Sequence, residues 1–307
     1  MDALWTLLLQ IPIIVALGYA LCKLKVITPS FRTQLSFLLL NVTLPASVLY
    51  SGNSPADASL VGNLGKTILI SIAYYTLALP IMMVLARALR LPPERSGPFI
   101  SMPVFANVAF LGFPMVASLF GSEGAMYAVV LNCVHQFFLA TCGLKMFNRE
   151  EPFRLKKLLL NPLTITSLFA ILMFISPLRV PQDIAGAFSQ VGSMTAPLSL
   201  LIIGSNLAEI KFSSLWTNPH SYLVSLLRLF LFPFATLFLL WAIGLRGLLP
   251  ATCVLLLALP VATINVMITE QHKKDVPFAA ATALQSMVLM IVSLPVVLLA
   301  INHFLLV

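Results

Sequence analysis

Met102-Pro103-Val104-Phe105-Ala106-Asn107-Val108-Ala109-Phe110-Leu111 and Leu259-Pro260-Val261-Ala262-Thr263-Ile264-Asn265-Val266-Met267-Ile268 follow one pattern. Each sets a proline, then an asparagine four or five residues on, inside an apolar stretch long enough to cross a bilayer. Proline removes a helix hydrogen bond, and an amide in hydrocarbon must find a partner. Two such breaks are tolerated where the freed backbone lines a cavity. Interrupted helices at matching places in two halves point to the binding site of a secondary carrier. Pro103, Pro114 and Pro260 are the expected helix breaks. Gly112 and Pro114 extend the irregular stretch after Asn107.

The surrounding composition is that of a membrane protein. Of 307 residues, 60% are hydrophobic and 9% charged, against about 25% charged in soluble domains. The apolar runs predict ten spans, roughly 3–21, 33–51, 66–86, 98–119, 124–146, 159–177, 184–208, 220–243, 248–269 and 277–303. The gaps are too short for a soluble domain. Cys22, Cys133, Cys142 and Cys253 follow neither a zinc nor a redox spacing and read as small apolar residues. No metal or other cofactor is expected.

The net charge of +8 is distributed by topology and does not indicate nucleic acid. Lys23, Lys25, Arg32, Arg87, Arg90, Arg95, Lys145, Arg149, Arg154, Lys156, Lys157, Lys211, Lys273 and Lys274 fall in alternate loops. Only Lys66, Arg179 and Arg246 fall on the other side. The positive-inside rule puts the larger group in the cytoplasm and both termini outside. Met1-Asp2, with no basic stretch before the first span, reads as an uncleaved N-out segment.

The basic stretch 148–158 divides the chain into two sets of five spans, 1–147 and 159–307. Five is odd, so related halves must be inverted relative to each other. The proline–asparagine pattern lies in the fourth span of each half. Asn41-Val42-Thr43-Leu44-Pro45 and Ser193-Met194-Thr195-Ala196-Pro197 match loosely in the second span of each. Chance resemblance among Pro-, Ala- and Val-rich helices is the bland alternative. If spans 4 and 9 cross at their breaks, the N-termini of their second halves meet and offer an anion site without a formal charge.

With Asn107-Val108-Ala109-Phe110-Leu111-Gly112-Phe113-Pro114, Ala258-Leu259-Pro260, Thr269-Glu270, Ile203-Gly204-Ser205-Asn206-Leu207-Ala208, and Arg228 before Pro233, the chain resembles the auxin efflux carrier family over nearly its whole length. That family lies within the bile/arsenite/riboflavin transporter superfamily and includes plant PIN carriers and bacterial organic-acid permeases. Two family prolines are replaced, by Ala106 and Asn265, and the central loop is short. The resemblance implies a scaffold of spans 1, 2, 6 and 7, often a dimer interface, and a moving domain of spans 3–5 and 8–10. It implies elevator-like transport of a small carboxylate-bearing anion in a cell membrane.

All ten acidic residues fall in loops or at span ends, so no carboxylate is placed to hold a coupling ion in mid-membrane. His135 and Gln136 lie midway along span 5. His135 reads either as hydrogen-bonded structure or as the candidate for proton coupling. Arg228 reads equally as a snorkelling side chain or as anion attraction. Asn41, Asn132 and Gln285 suit interhelical hydrogen bonds. The candidate substrate residues are therefore Asn107, Gly112, Pro260, Asn265, His135, Gln136, Arg228 and Asn41. An ion-coupled permease of the bile-acid or arsenite type is the alternative within the same class. An intramembrane enzyme would need a nucleophile–base pair, a carboxylate pair or a metal cluster in the bilayer, and no acidic partner lies in the apolar core.

Overall fold

The computed structural model describes residues 2–306 except 55–57, 153–154, 177 and 209–217. Arg154 and Lys211, used above in the charge argument, lie outside the described residues, as do two of the ten acidic residues, Asp57 and Glu209, and Met1 and Val307. The described chain is helical, with no strand beyond one isolated bridge. Six helical stretches are long and apolar enough to cross a membrane: Pro29–Gly52, Ser59–Ala88, Val108–Gly143, Gln182–Ala208, Pro219–Ala242 and Val276–Leu306. Of the other expected spans, the first lies in the continuous 22-residue helix Asp2–Lys23, and the rest are shorter or interrupted helices.

The interruptions have a common chemistry. Helix α1 is Asp2–Lys23, α2 is Pro29–Leu38 and α3 is Leu44–Gly52. Residues Leu39–Thr43, connecting the last two, wind as a π-turn, with Leu44 N–H donating to Leu39 C=O. Pro45 follows at once. Its ring would press on the carbonyl four residues back, and the wider turn makes room. Pro114 follows the π-turn Val108–Gly112 and Pro233 follows Leu227–Leu231 in the same way. Phe113–Phe138 (α6) is broken at Gly121, whose φ of 64° is the left-handed region that glycine adopts without strain.

The described residues form two compact units, and each draws on both halves of the sequence. The first holds residues 1–64, 109–130 and 159–210. In it, α1 packs on Thr195–Ala208 (called α10, after α7 Leu155–Leu159, α8 Pro162–Ile175 and α9 Gln182–Ser193). Gly204 allows that approach, because a Cβ there would collide with the Val15 carbonyl. Arg32 Nη1 donates to Asn206 Oδ1 at 2.9 Å and to Ser205 C=O at 3.2 Å. The Gly204–Ala208 motif thus reads as a packing seam with a tethered end.

The second unit holds residues 65–108, 131–158 and 211–307. Its helices include Ala58–Ala88 (α4, entering at residue 65), Pro93–Val104 (α5), Pro219–Leu226 (α11), Phe232–Ala242 (α12), Leu248–Leu257 (α13), Thr263–Gln271 (α14) and Val276–Ile301 (α15). Its core gathers Tyr74, Tyr75, Phe99, Phe105, Phe232 and Phe278. At one rim Arg95 pairs with Asp275 at 2.7 Å and lies 5.2 Å over the Phe278 ring. Asp275 also caps α15 through the Phe278 N–H.

Candidate functional site: the helix crossover of the second unit

Helices α5 and α13 both stop where the shared pattern begins. Phe105 is extended (φ −99°, ψ 103°), and so is Ala262 (φ −67°, ψ 135°). These two unwound stretches pair as an antiparallel bridge centred on Ala106 and Val261. Asn107 N–H donates to Pro260 C=O at 3.0 Å, and Ala262 N–H donates to Phe105 C=O at 3.3 Å. Val261 N–H donates to Ser286 Oγ at 3.1 Å. The polar backbone freed by the breaks is therefore satisfied mostly by the partner stretch, as a buried crossing requires.

Arg228 holds the two helix ends from within. It is 0% exposed. Nε donates to Leu259 C=O at 2.8 Å, and Nη2 to Leu257 C=O at 2.6 Å and Leu256 C=O at 3.4 Å. Nη1 donates to Pro103 C=O at 2.9 Å, Val104 C=O at 3.2 Å and the Tyr74 hydroxyl at 3.0 Å. Pro260 lacks the N–H that would have served the Leu256 carbonyl, and the guanidinium serves it instead. Each helix C-terminus carries roughly half a negative charge. Two of them together balance one guanidinium without any carboxylate. This accounts for a fully buried arginine, and it uses all five guanidinium N–H groups. Arg228, expected as a candidate anion contact, is occupied here as a brace.

The two asparagines differ. Asn265 is 0% exposed. Its Oδ1 accepts from Ser101 Oγ at 2.5 Å, and its Nδ2 donates to Phe105 C=O at 3.2 Å and Ala262 C=O at 3.1 Å. Asn107 is 3% exposed, with its backbone in the bridge and its side-chain amide in no hydrogen bond among the described residues. Just beyond the bridge, Thr263 and Ile264 open α14 and are exposed. Their N–H groups belong to the first turn, which has no helical carbonyls to bond.

The profile of the membrane transport protein family matches residues 3–156 and 151–298. The chain belongs to that family, the one that includes the auxin efflux carriers. An uncharacterised transporter of Methanothermobacter thermautotrophicus is 26% identical over 292 residues, 94% of this chain and 95% of its own length. An uncharacterised transporter of Methanocaldococcus jannaschii is 23% identical over 202 residues, 63% of this chain and 64% of its own. With its apolar helices, this membership makes the protein an integral membrane protein of a transport family.

The transporter's other sequence candidates are distributed over both units. His135 is buried beside the bridge residues. Its Nδ1 is 2.8 Å from the Tyr75 hydroxyl, and its ring meets Phe105 edge-on at 5.4 Å. Gln136 is half-buried. Asn41, Gly112 and Pro114 belong to the first unit. Asn41 is exposed and turns its Nδ2 back to Phe37 C=O at 2.9 Å, and Gly112 is buried at the end of its π-turn. Gln285 accepts from Ser225 Oγ at 3.0 Å, an interhelical bond. Asn132 Oδ1 is buried with no partner among the described residues.

Sequence reasoning missed Ser101, Tyr74, Tyr75 and Ser286, which complete the crossover. It also missed a cavity of about 310 Å³ in the first unit. Hydroxyls line it, among them Ser47, Ser51, Ser118, Ser122, Ser189 and Ser193. These are three serine pairs spaced i, i+4; Ser47/Ser51 and Ser189/Ser193 each share one helix face, while Ser118 and Ser122 flank the Gly121 break. That spacing was the available signal.

Proposed function

We propose that this protein is a secondary carrier of small organic anions such as carboxylates, with the crossover as its substrate site. The observation that carries this reading is the unbonded Asn107 amide, held by a fully paired bridge next to the open first turn of α14. An amide N–H₂ and free helix N-terminal N–H groups are what a carboxylate needs when no cation contacts it directly. Arg228 supports the reading at one remove. It keeps both unwound segments in place and leaves the donors around Asn107 unused.

In this reading the chain makes ten spans as two inverted five-span repeats. Support comes from the breaks of α5–Asn107 and α13–Ala262, and from the second spans of the two halves. The latter depart from regular α-helix at Leu39–Thr43 and at Met194, each beside a Thr-x-Pro. Both termini lie outside, as the loop charges direct. Transport is elevator-like, and the chain pairs as a homodimer through spans 1, 2, 6 and 7.

Reconstitution in liposomes tests this function. Labelled carboxylates, including malate, malonate, lactate and indole-3-acetate, are offered with sodium, proton gradient and membrane potential varied separately. Flux of at least one anion should follow potential, which supplies about 2.3 kcal/mol per charge per 100 mV. It should survive replacement of sodium by potassium. Strict dependence on a sodium gradient would favour the ion-coupled alternative, and absence of flux for every anion would remove the reading.

A further inference from the structure

A groove of about 460 Å³ runs along the second unit between α4 and α12. Its walls are apolar, with Leu69, Leu77, Leu239 and Ile243 all largely exposed. One charged residue lines it, Lys66, and Lys66 stands at the N-terminal end of the α4 wall. From Lys66 to Ile81 is fifteen residues, about 22 Å of helix. That carries the groove from the headgroup level past the middle of a ~30 Å hydrocarbon core. On the facing wall, Leu245 is followed by Arg246, whose guanidinium lies 5.3 Å over the Trp241 ring. Tryptophan and arginine together mark the level where hydrocarbon meets headgroups. Lys66 and Arg246 are two of only three cations on the cation-poor face of the sequence.

We propose that this groove holds one acyl chain of a membrane phospholipid with an anionic headgroup, the phosphate lying at Lys66. A long apolar slot with a cation at its headgroup end matches both parts of such a lipid. A zwitterionic lipid would use the slot but gain less from the lysine. The floor of the groove includes Tyr74, which packs edge-on to Phe232 at 6.0 Å and accepts a hydrogen bond from Arg228 through its hydroxyl. A lipid here therefore lies against the back of the crossover brace and is coupled to it through one side chain. The inference does not depend on which anion is transported.

The test is native mass spectrometry of the delipidated full chain, given equal amounts of phosphatidylglycerol and phosphatidylcholine. The wild type should retain phosphatidylglycerol preferentially. Lys66→Gln should lower that preference about fivefold, equivalent to the ~1 kcal/mol a lysine contributes beside anionic lipid. Ala73→Phe and, separately, Ala235→Leu fill the slot and should reduce retention of both lipids. Melting of each variant in lipid-free detergent should match the wild type, since Lys66 and Ala73 are exposed. Equal retention of the two lipids by the wild type would overturn the proposal, as would retention unaffected by both filling variants. Displacement of phosphatidylglycerol by an equal concentration of oleate would make a free fatty acid the occupant and overturn it as well.

Discussion

Replacing Arg228 should destabilise the transporter far more than it alters anion recognition. In Arg228→Met a flexible apolar chain replaces the guanidinium at similar length. The Leu257, Leu259 and Pro103 carbonyls then lose donors that no water in the packed core replaces, while Val104 C=O keeps the Tyr74 hydroxyl. Each unsatisfied buried group costs about 1–3 kcal/mol, and removing one partner of a buried charge arrangement about 3–5 kcal/mol in all. Local relaxation favours the second figure over the sum of single groups. At about 2–4 °C of melting point per kcal/mol, a fall of roughly 6–20 °C is expected. Arg228→Lys keeps the charge but has three donors for six acceptors, and it should recover about half of the loss. The assay is thermal unfolding in detergent, followed by tryptophan fluorescence, alongside equilibrium binding of a transported anion. The reasoning fails if Arg228→Met melts within about 2 °C of wild type while anion binding disappears. Arg228 would then be a direct ligand whose carbonyl contacts are incidental.

The two crossover asparagines should separate in the same pair of assays. Asn107→Ala should abolish most anion binding with an unchanged melting point, whereas Asn265→Ala should lower stability by about 2–3 kcal/mol through three lost buried hydrogen bonds. Matching melting losses in both variants would make Asn107 structural as well. Gly204→Val should prevent α1 from seating on α10, read as loss of a monodisperse peak in size exclusion, while Gly186→Val, in open space, should leave it intact. A cysteine at Asn148 should react only with membrane-permeant reagents and one at Gly244 with impermeant reagents from outside. The reverse labelling pattern would invert the proposed topology.

Much of this molecule was legible in the chain because lipid leaves few choices. Backbone in hydrocarbon must bond to itself, so apolar runs of span length become helices. A proline cannot complete that ladder, so Pro103 and Pro260 mark the breaks in the sequence itself. The charged loops carry their own distribution, and the motifs around Asn107, Gly204 and Arg228 name the family. The tertiary structure decided how the freed groups are satisfied, because that depends on residues distant in sequence. Asn107 and Asn265 occupy similar places in the pattern. Yet Ser101, 164 positions away, occupies the Asn265 amide, and nothing occupies that of Asn107. Arg228 read equally as snorkelling or anion-seeking. Only the convergence of two helix C-termini on its guanidinium shows that backbone dipoles neutralise it. The spacing of serines placed two pairs on helix faces, but only folding brought those faces and the serines flanking Gly121 around one cavity. Local sequence sets where a membrane helix must break, and long-range packing sets which of its polar atoms remain free to bind something else.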